Sequence, residues 1–408
     1  MHIECTNGTP IVDTLDHLPP LPLFVTYENW RGPALTMQDE LGIYHVLQLH
    51  DRVRHIKFDL PPSVVHKALV LMDKHFPILE HFSIEMPTPY QYITLTLPKA
   101  FLAPNLRHLA LPCVTPPKRL RFLTSTVSLV TLQLDNIQIF SYFRPRLLVA
   151  RLSLLPQLEK LSIGFSMPIP RPSAERERLG EQGTPVTLPN LKALRFKGVS
   201  AYLDSFIAQI EAPLLERLWI TLFNQIAFPH PRLFRLINIT EGFKVPTARV
   251  SFHRDYVSVI TSHYNSRWID GPFRLRVECK QSDWQIDCAA QICGALIPAL
   301  SNVVRLVLES HDGIISELEN GDIDTTTWHE ILRSFIGVME LHINEELLEE
   351  ISRALDEVIG LDPGFLPDLQ AIFAAENFFT SFIDAREVIG HSVSHEAPPP
   401  WSQPASLP

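Results

Sequence analysis

A short phrase recurs along the chain, and it narrows the available folds more than any other feature. A proline or polar residue is followed by one spacer, an apolar residue, two spacers, an apolar residue, one spacer and a last apolar residue. Pro77 opens PILEHFSI, Pro104 opens PNLRHLAL, Pro156 opens PQLEKLSI, Pro189 opens PNLKALRF and Pro213 opens PLLERLWI. Looser copies are DRVRHIKF from Asp51, VSLVTLQL from Val127, SNVVRLVL from Ser301 and IGVMELHI from Ile336. The anchors Val53, Leu79, Leu106, Leu129, Leu158, Leu191 and Leu215 lie 23 to 33 residues apart. A period in that range belongs to stacked repeats. The end of each phrase alternates as a strand does, and the segments between phrases often read as helices, so each repeat is expected to hold one strand and one helix.

Local signals agree with this division. Ser63 is positioned to cap a helix that places Val65, Ala68, Leu69, Met72 and Phe76 on one face. Thr327 and Glu330 have capping-box spacing before Ile331, Leu332 and Phe335, and Asn344 precedes a helix carrying Leu347, Leu348, Ile351 and Leu355 that Gly360 and Pro363 stop. One such unit cannot bury its own apolar strand and helix faces; stacking on its neighbours produces a continuous core. The fold class expected is α/β, an irregular solenoid with parallel strands on its concave side and helices on its convex side. Residues 1–49 read as an N-terminal cap or linker, 50–375 as the repeats, and 376–408 as the end of a C-terminal helix followed by a mobile proline-rich tail. Residues 166–187 interrupt the period with proline and alternating charge, and read as an exposed insertion.

Composition limits the function classes. With 46% apolar and 20% charged residues the chain can bury a core. Its 16 glycines against 35 prolines disfavour enzymes built on glycine-rich phosphate loops, and a net charge of -10 opposes nonspecific attraction to nucleic acid or anionic lipid. Cys5, Cys113, Cys279, Cys288 and Cys293 are scattered and form no CxxC pair, which suggests neither a disulfide framework nor a zinc cage and fits a reducing compartment. No signal-peptide pattern opens the chain and no run of about 18 apolar residues follows, so a cytoplasmic or nuclear location without a membrane partner is expected.

The phrases resemble leucine-rich repeats over about residues 50 to 375. The opening CTNGTPIVDTLDHLPPLPLFV resembles the segment that follows the F-box in F-box and leucine-rich repeat proteins of mushroom-forming fungi. The resemblance implies an irregular leucine-rich repeat solenoid acting as a noncatalytic interaction scaffold, the substrate-recruiting repeat region of an F-box-type ubiquitin ligase subunit. Two departures qualify it. The usual repeat sets Asn or Cys three residues after its last leucine, where the side chain bonds free backbone groups; Leu111-Pro112-Cys113 and Leu134-Asp135-Asn136 bring it one position early. The F-box helices that would dock on a ligase adaptor are missing, so an adaptor is expected as a partner only if an F-box lies upstream. Leu60-Pro61-Pro62 is superficially similar to an F-box start, but the helix after it runs straight into PILEHFSI and reads as a repeat helix. A stand-alone repeat protein outside ubiquitination is the alternative, followed by an enzyme with no recognisable motif.

GxSxG, GxGxxG, GxxxxGK and HExxH are absent, and no enzyme activity, cofactor or metal is expected. His50-Asp51 and His311-Asp312 match a metal-phosphohydrolase dipeptide, but among 17 histidines such neighbours arise by chance. His391 and His395 have the spacing to share a helix face, yet they border the proline-rich tail. Cys293 lies at helical spacing from Ile286, Ala289 and Leu296, and Cys279 continues the alternation of Phe273, Leu275 and Val277, so both read as core residues.

The strongest candidate is a surface. If the anchors point inward, the strand spacers point outward, and side chains of successive repeats form one face. That face would carry His81, Ser83, Thr131, Gln133, Lys160, Ser162, Arg195, Lys197, Arg217 and Trp219. Arginine and tryptophan combine large contact area with directional bonding, and a protein target is expected there. The plain alternative is a set of solvated strand residues.

Overall fold

The computed structural model describes residues 2–4, 15, 21–27, 35–86, 95–112, 114–117, 120–168, 185–223, 231–263, 271–279, 282–311, 325–359, 364–376 and 379–384. It is a mixed α/β structure whose strands pair mostly in parallel. In chain order they begin with β1 (His2–Glu4), β2 (Leu23–Tyr27), β3 (Val53–Asp59), β4 (His81–Glu85) and β5 (His108–Leu111). Next come β6 (Thr131–Ile137), β7 (Lys160–Phe165), β8 (Ala193–Gly198) and β9 (Arg217–Phe223). An antiparallel hairpin, β10 (Thr247–His253) and β11 (Tyr256–Ser262), precedes β12 (Phe273–Glu278), β13 (Arg305–Ser310) and β14 (Glu340–Asn344). The last strands are β15 (Ala371–Glu376) and β16 (Phe379–Asp384). Every recurring phrase ends in one of these strands.

The chain divides into two compact units, Met1–Phe243 with Arg267–Cys279, and Lys244–Ser266 with Lys280–Pro408. In the first, β1 to β9 lie side by side in chain order with β12 beside β9, and each neighbouring pair is parallel. Parallel neighbours need crossovers of roughly a dozen residues or more, which the spacing of the phrases supplies. Helices α1 (Met37–Gln48), α2 (Pro62–Leu71), α3 (Pro145–Leu152), α4 (Ser200–Ile207) and α5 (Pro231–Ile239) occupy several connections. The connection from β5 to β6 contains a 3-10 turn at Arg121–Thr124 instead, so one helix per repeat is met only in part.

Parallel sheets covered on both faces read as continuous apolar runs. These strands alternate. In β6, Leu132 and Leu134 are buried while Thr131, Gln133 and Asp135 are half-buried, and β8 buries Leu194 and Phe196 but exposes Arg195. The core therefore lies against one face. Phe165 lies within an aromatic cluster of this core, with ring centroids of Tyr202, Tyr142, Phe143 and Phe196 at 4.9, 6.0, 6.1 and 6.3 Å. Gly198 is dictated by that cluster, since a Cβ there would stand 2.7 Å from Phe196 Cζ and 3.0 Å from Phe165 Cδ2.

Asparagines next to the phrase openings join consecutive repeats. Asn105 Nδ2 donates to Pro77 O at 2.7 Å and Asn190 Nδ2 to Pro156 O at 2.8 Å, each reaching the opening proline of the preceding phrase. Asn136, in the left-handed region at φ 53, donates to Pro112 O at 2.9 Å. The early asparagine thus still satisfies a free backbone carbonyl of the preceding repeat.

In the second unit the sheet order is β11, β10, β13, β14, β15, β16, with parallel inner strands and antiparallel hairpins at both ends. Helices α6 (Ser282–Ala295), α7 (Ile297–Leu300), α8 (Thr325–Arg333) and α9 (Glu345–Ile359) belong to it. Trp328 is fully buried at an edge-on 5.6 Å from Phe252, and Leu306, Leu308, Ile343, Leu347 and Ile351 complete the core. Asn344 precedes α9 as expected and also bonds both backbone groups of Ser310, accepting from N at 3.1 Å and donating to O at 2.6 Å.

Three expectations are corrected. Ser63 lies inside α2, whose N-cap is Pro61; the fixed ring of Pro62 at the helix start does the ordering that a serine cap was expected to do. Thr327 lies inside α8, which begins at Thr325, and so is not its cap. Residues 379–384 form strand β16 where a helix end was expected, because a β-branched and aromatic run pairs with β15. The insertion at 169–184, Cys5, Cys113, Gly360, Pro363, the tail beyond 384, His391 and His395 lie outside the described residues. Among those described, no helix is long and apolar enough to cross a membrane.

Candidate protein-binding face

The parallel register of the first unit sorts the outward side chains into rows. One row runs Phe24, His55, His81, His108, Thr131, Lys160, Ala193, Arg217 across β2 to β9. The next runs Lys57, Ser83, Ala110, Gln133, Ser162, Arg195, Trp219, Arg274 across β3 to β12. The candidates Thr131, Gln133, Lys160, Ser162, Arg195, Arg217 and Trp219 thus fall in two adjoining rows, and Lys197 lies one step further along β8. Ser83 occupies the same face but is only 5% exposed, so it is recessed and not a contact residue.

Most polar members are held by neighbours. Asp135 accepts from Gln133 Nε2 at 2.8 Å and from Ser162 Oγ at 3.0 Å. Lys197 pairs with Glu278 at 2.9 Å and lies 5.3 Å over the Phe223 ring. Trp219 donates Nε1 to Gly271 O at 3.0 Å, and the Arg274 guanidinium lies 5.9 Å over its ring. These contacts fix the indole in place. Lys160, Arg195 and Arg217 are exposed, and among the described residues none of them has a carboxylate within salt-bridge distance.

At the other end of the row three histidines stack. His55 and His81 are nearly parallel at 4.1 Å, His81 and His108 are tilted at 5.5 Å, and Phe24 lies 5.9 Å from His55. His108 Nδ1 is 3.2 Å from Thr131 Oγ1. Only His81 was singled out from the sequence. The signal for the others was present, since DRVRHIKF, PILEHFSI and PNLRHLAL carry histidine at the same phrase position. Burial, with the nearby charges of His55, His108 and Lys57, pushes His81 down to about 4 from its ordinary 6.5. Burial likewise lowers His108, helped by Arg107 and Lys160 and opposed by Glu80.

This stack makes stability depend on pH. Between pH 6.5 and about 4 the unfolded chain takes a proton at His81 that the folded chain refuses, so folded stability falls as pH falls through that window and the loss levels off below about 4. His81→Phe keeps a stacking ring and removes the proton site. The first unit of the wild type is expected to lose more stability over that window than the variant, measured by denaturant unfolding at stepped pH; equal slopes would refute the assignment.

The other histidine and cysteine candidates are accounted for locally. His50 Nδ1 is 2.9 Å from the His75 carbonyl oxygen. His311 stacks on His253 at 4.3 Å, with Nε2 3.1 Å from Glu309. Among the described residues no three His, Cys, Asp or Glu side chains are grouped to hold a metal ion. Cys279 and Cys293 are buried, and burial pushes the Cys293 thiol up to about 12, which keeps it a thiol at neutral pH.

No protein-family model matches the chain, and no curated protein matches it.

Proposed function

We propose that the chain is a noncatalytic protein-binding scaffold, an irregular leucine-rich repeat solenoid whose outward strand face takes a protein target. In this reading it is the substrate-recruiting repeat region of an F-box-type ubiquitin ligase subunit working in the cytoplasm or nucleus. One observation carries the binding role: Gln133, Ser162, Arg195 and Trp219 share a single register row on four adjoining strands, with the indole fixed by its bond to Gly271. A fixed aromatic beside arginines is the chemistry of an interface anchor. The recurrence of strand-ending phrases and the asparagine bonds between consecutive repeats support the repeat reading.

The test is affinity purification of the full chain from native cells, compared with an Arg195→Glu, Arg217→Glu double variant. A recurrent target recovered with the wild type is expected to drop about tenfold or more with the variant; unchanged recovery sinks the binding role. Recovery of ligase adaptor subunits is expected for the ligase role only with a form that carries an F-box upstream of this chain; if the target is retained and such a form recovers no adaptor, a stand-alone binding protein remains.

A further inference from the structure

Charge is distributed unevenly over the outward face of the first unit. Where the strands begin, successive backbone N-H groups donate to the carbonyl of the residue one strand earlier, and the side chains at those positions largely alternate in sign. Arg54 pairs with Glu80 at 2.9 Å and Lys192 with Glu159 at 3.5 Å, so this row largely neutralises itself. Further along the strands, the pattern breaks. Lys160, Arg195 and Arg217 on β7, β8 and β9 carry three like charges, and the carboxylates that share the face are committed to other partners: Asp135 to Gln133 and Ser162, Glu278 to Lys197.

The second unit, taken by itself, shows the contrasting solution. Its outward Arg249 is held by Glu309 at 2.9 Å and its Arg305 by Glu340 at 2.6 Å. Among the described residues, β7 to β9 thus gather three unpaired cations on adjoining strands, in a chain whose net charge is -10. Lys160 and Arg217 occupy one register row two strands apart, roughly 10 Å, while Arg195 lies on the strand between them and roughly 7 Å further along. An extended peptide sets its alternate side chains roughly 7 Å apart, a spacing that long lysine and arginine side chains can meet. Trp219, next to Arg195 in its row, offers an apolar surface at the edge of this triangle.

We propose that β7, β8 and β9 bind an extended acidic segment of a protein partner, its carboxylates taken by Lys160, Arg195 and Arg217 and one apolar side chain seated against Trp219. The proposal rests on the reading of this face as the binding surface and names the chemistry of its target. Charge complementarity selects the occupant. A nucleic-acid strand needs a basic track that continues with its phosphates, whereas Glu159 and Glu216 flank this patch at the strand starts and oppose any such continuation.

The experiment uses the full chain and fluorescence anisotropy with three probes: a short labelled peptide with glutamate at alternate positions and one leucine, the same peptide with glutamine for glutamate, and a single-stranded DNA oligonucleotide of similar length. The acidic peptide is expected to bind about tenfold or more tightly than the glutamine version, and its binding to weaken with added salt. Lys160→Glu, Arg195→Glu and Arg217→Glu are each expected to weaken it about tenfold, with Arg195→Gln losing less and Arg121→Glu, on the exposed 3-10 turn, unchanged. Equal binding of the two peptides, tighter binding of the oligonucleotide, or full binding by the charge-reversed variants overturns the proposal. Trp219→Ala separates the two readings. If it removes the cellular target while the acidic peptide fails to bind, the face is the binding surface and the acidic partner is wrong; if it leaves target recovery intact and the peptide fails, both fall.

Discussion

Phe165→Ala is expected to destabilise the first unit by about 3 to 5 kcal/mol. The ring is 1% exposed and lies among Tyr142, Phe143, Phe196 and Tyr202, so it joins β7 to its neighbour β8, to the segment after β6 and to helix α4. Its removal opens a cavity that cannot easily collapse, because β7 is fixed in register between β6 and β8. The chain has two compact units, so a single melting temperature is a poor readout. Hydrogen exchange followed by mass spectrometry localises the effect: faster exchange is expected in 131–137, 160–165 and 193–198, with 305–310 and 340–344 unchanged. Unaltered exchange in β6 to β8 would show that the cluster does not hold the sheet.

Trp328→Ala should produce a loss of similar size, about 3 to 5 kcal/mol, in the second unit. Trp328 is fully buried in α8 and packs edge-on against Phe252 of β10 at 5.6 Å. Its Nε1 has no hydrogen-bond partner among the described residues, and an unpaired buried donor is itself costly. Trp328→Phe removes that donor and keeps a ring against Phe252, so it is expected to lose much less than the alanine variant. Denaturant unfolding with exchange measured in 247–253 and 305–310 distinguishes the two substitutions. Equal losses would mean that packing against Phe252 contributes little.

The two halves of each phrase had different legibility in the sequence. Apolar positions such as Leu132 and Leu134, or Leu194 and Phe196, revealed strands because alternation with period two survives in the sequence wherever one sheet face is buried. The strands Thr247–His253 and Tyr256–Ser262 are not announced by any phrase, and 379–384, which reads as a helix end, forms β16. Caps were misplaced for a similar reason. Ser63 and Thr327 have the right residue type, but a proline at the helix start or an extra turn moves the boundary without changing the apolar pattern.

The candidate face divides in the same way. Spacer positions predicted that Lys160, Arg195, Arg217 and Trp219 share a surface, since their place in the phrase fixes their direction. Spacing alone says nothing about which cation meets a carboxylate. Lys197 is neutralised by Glu278, 81 positions away in the chain, while Arg195 two residues before it has no carboxylate within reach among the described residues.

The sequence by itself determined where the strands fall and which of their side chains point away from the core, because both follow from local periodicity and burial. Only the tertiary structure decided which charges remain uncompensated, that His55, His81 and His108 stack, and that Asn105 and Asn190 reach back to the openings of the preceding phrases. Those are contacts between neighbouring strands or between the turns that lead into them, and they depend on pairing register, which no single phrase contains.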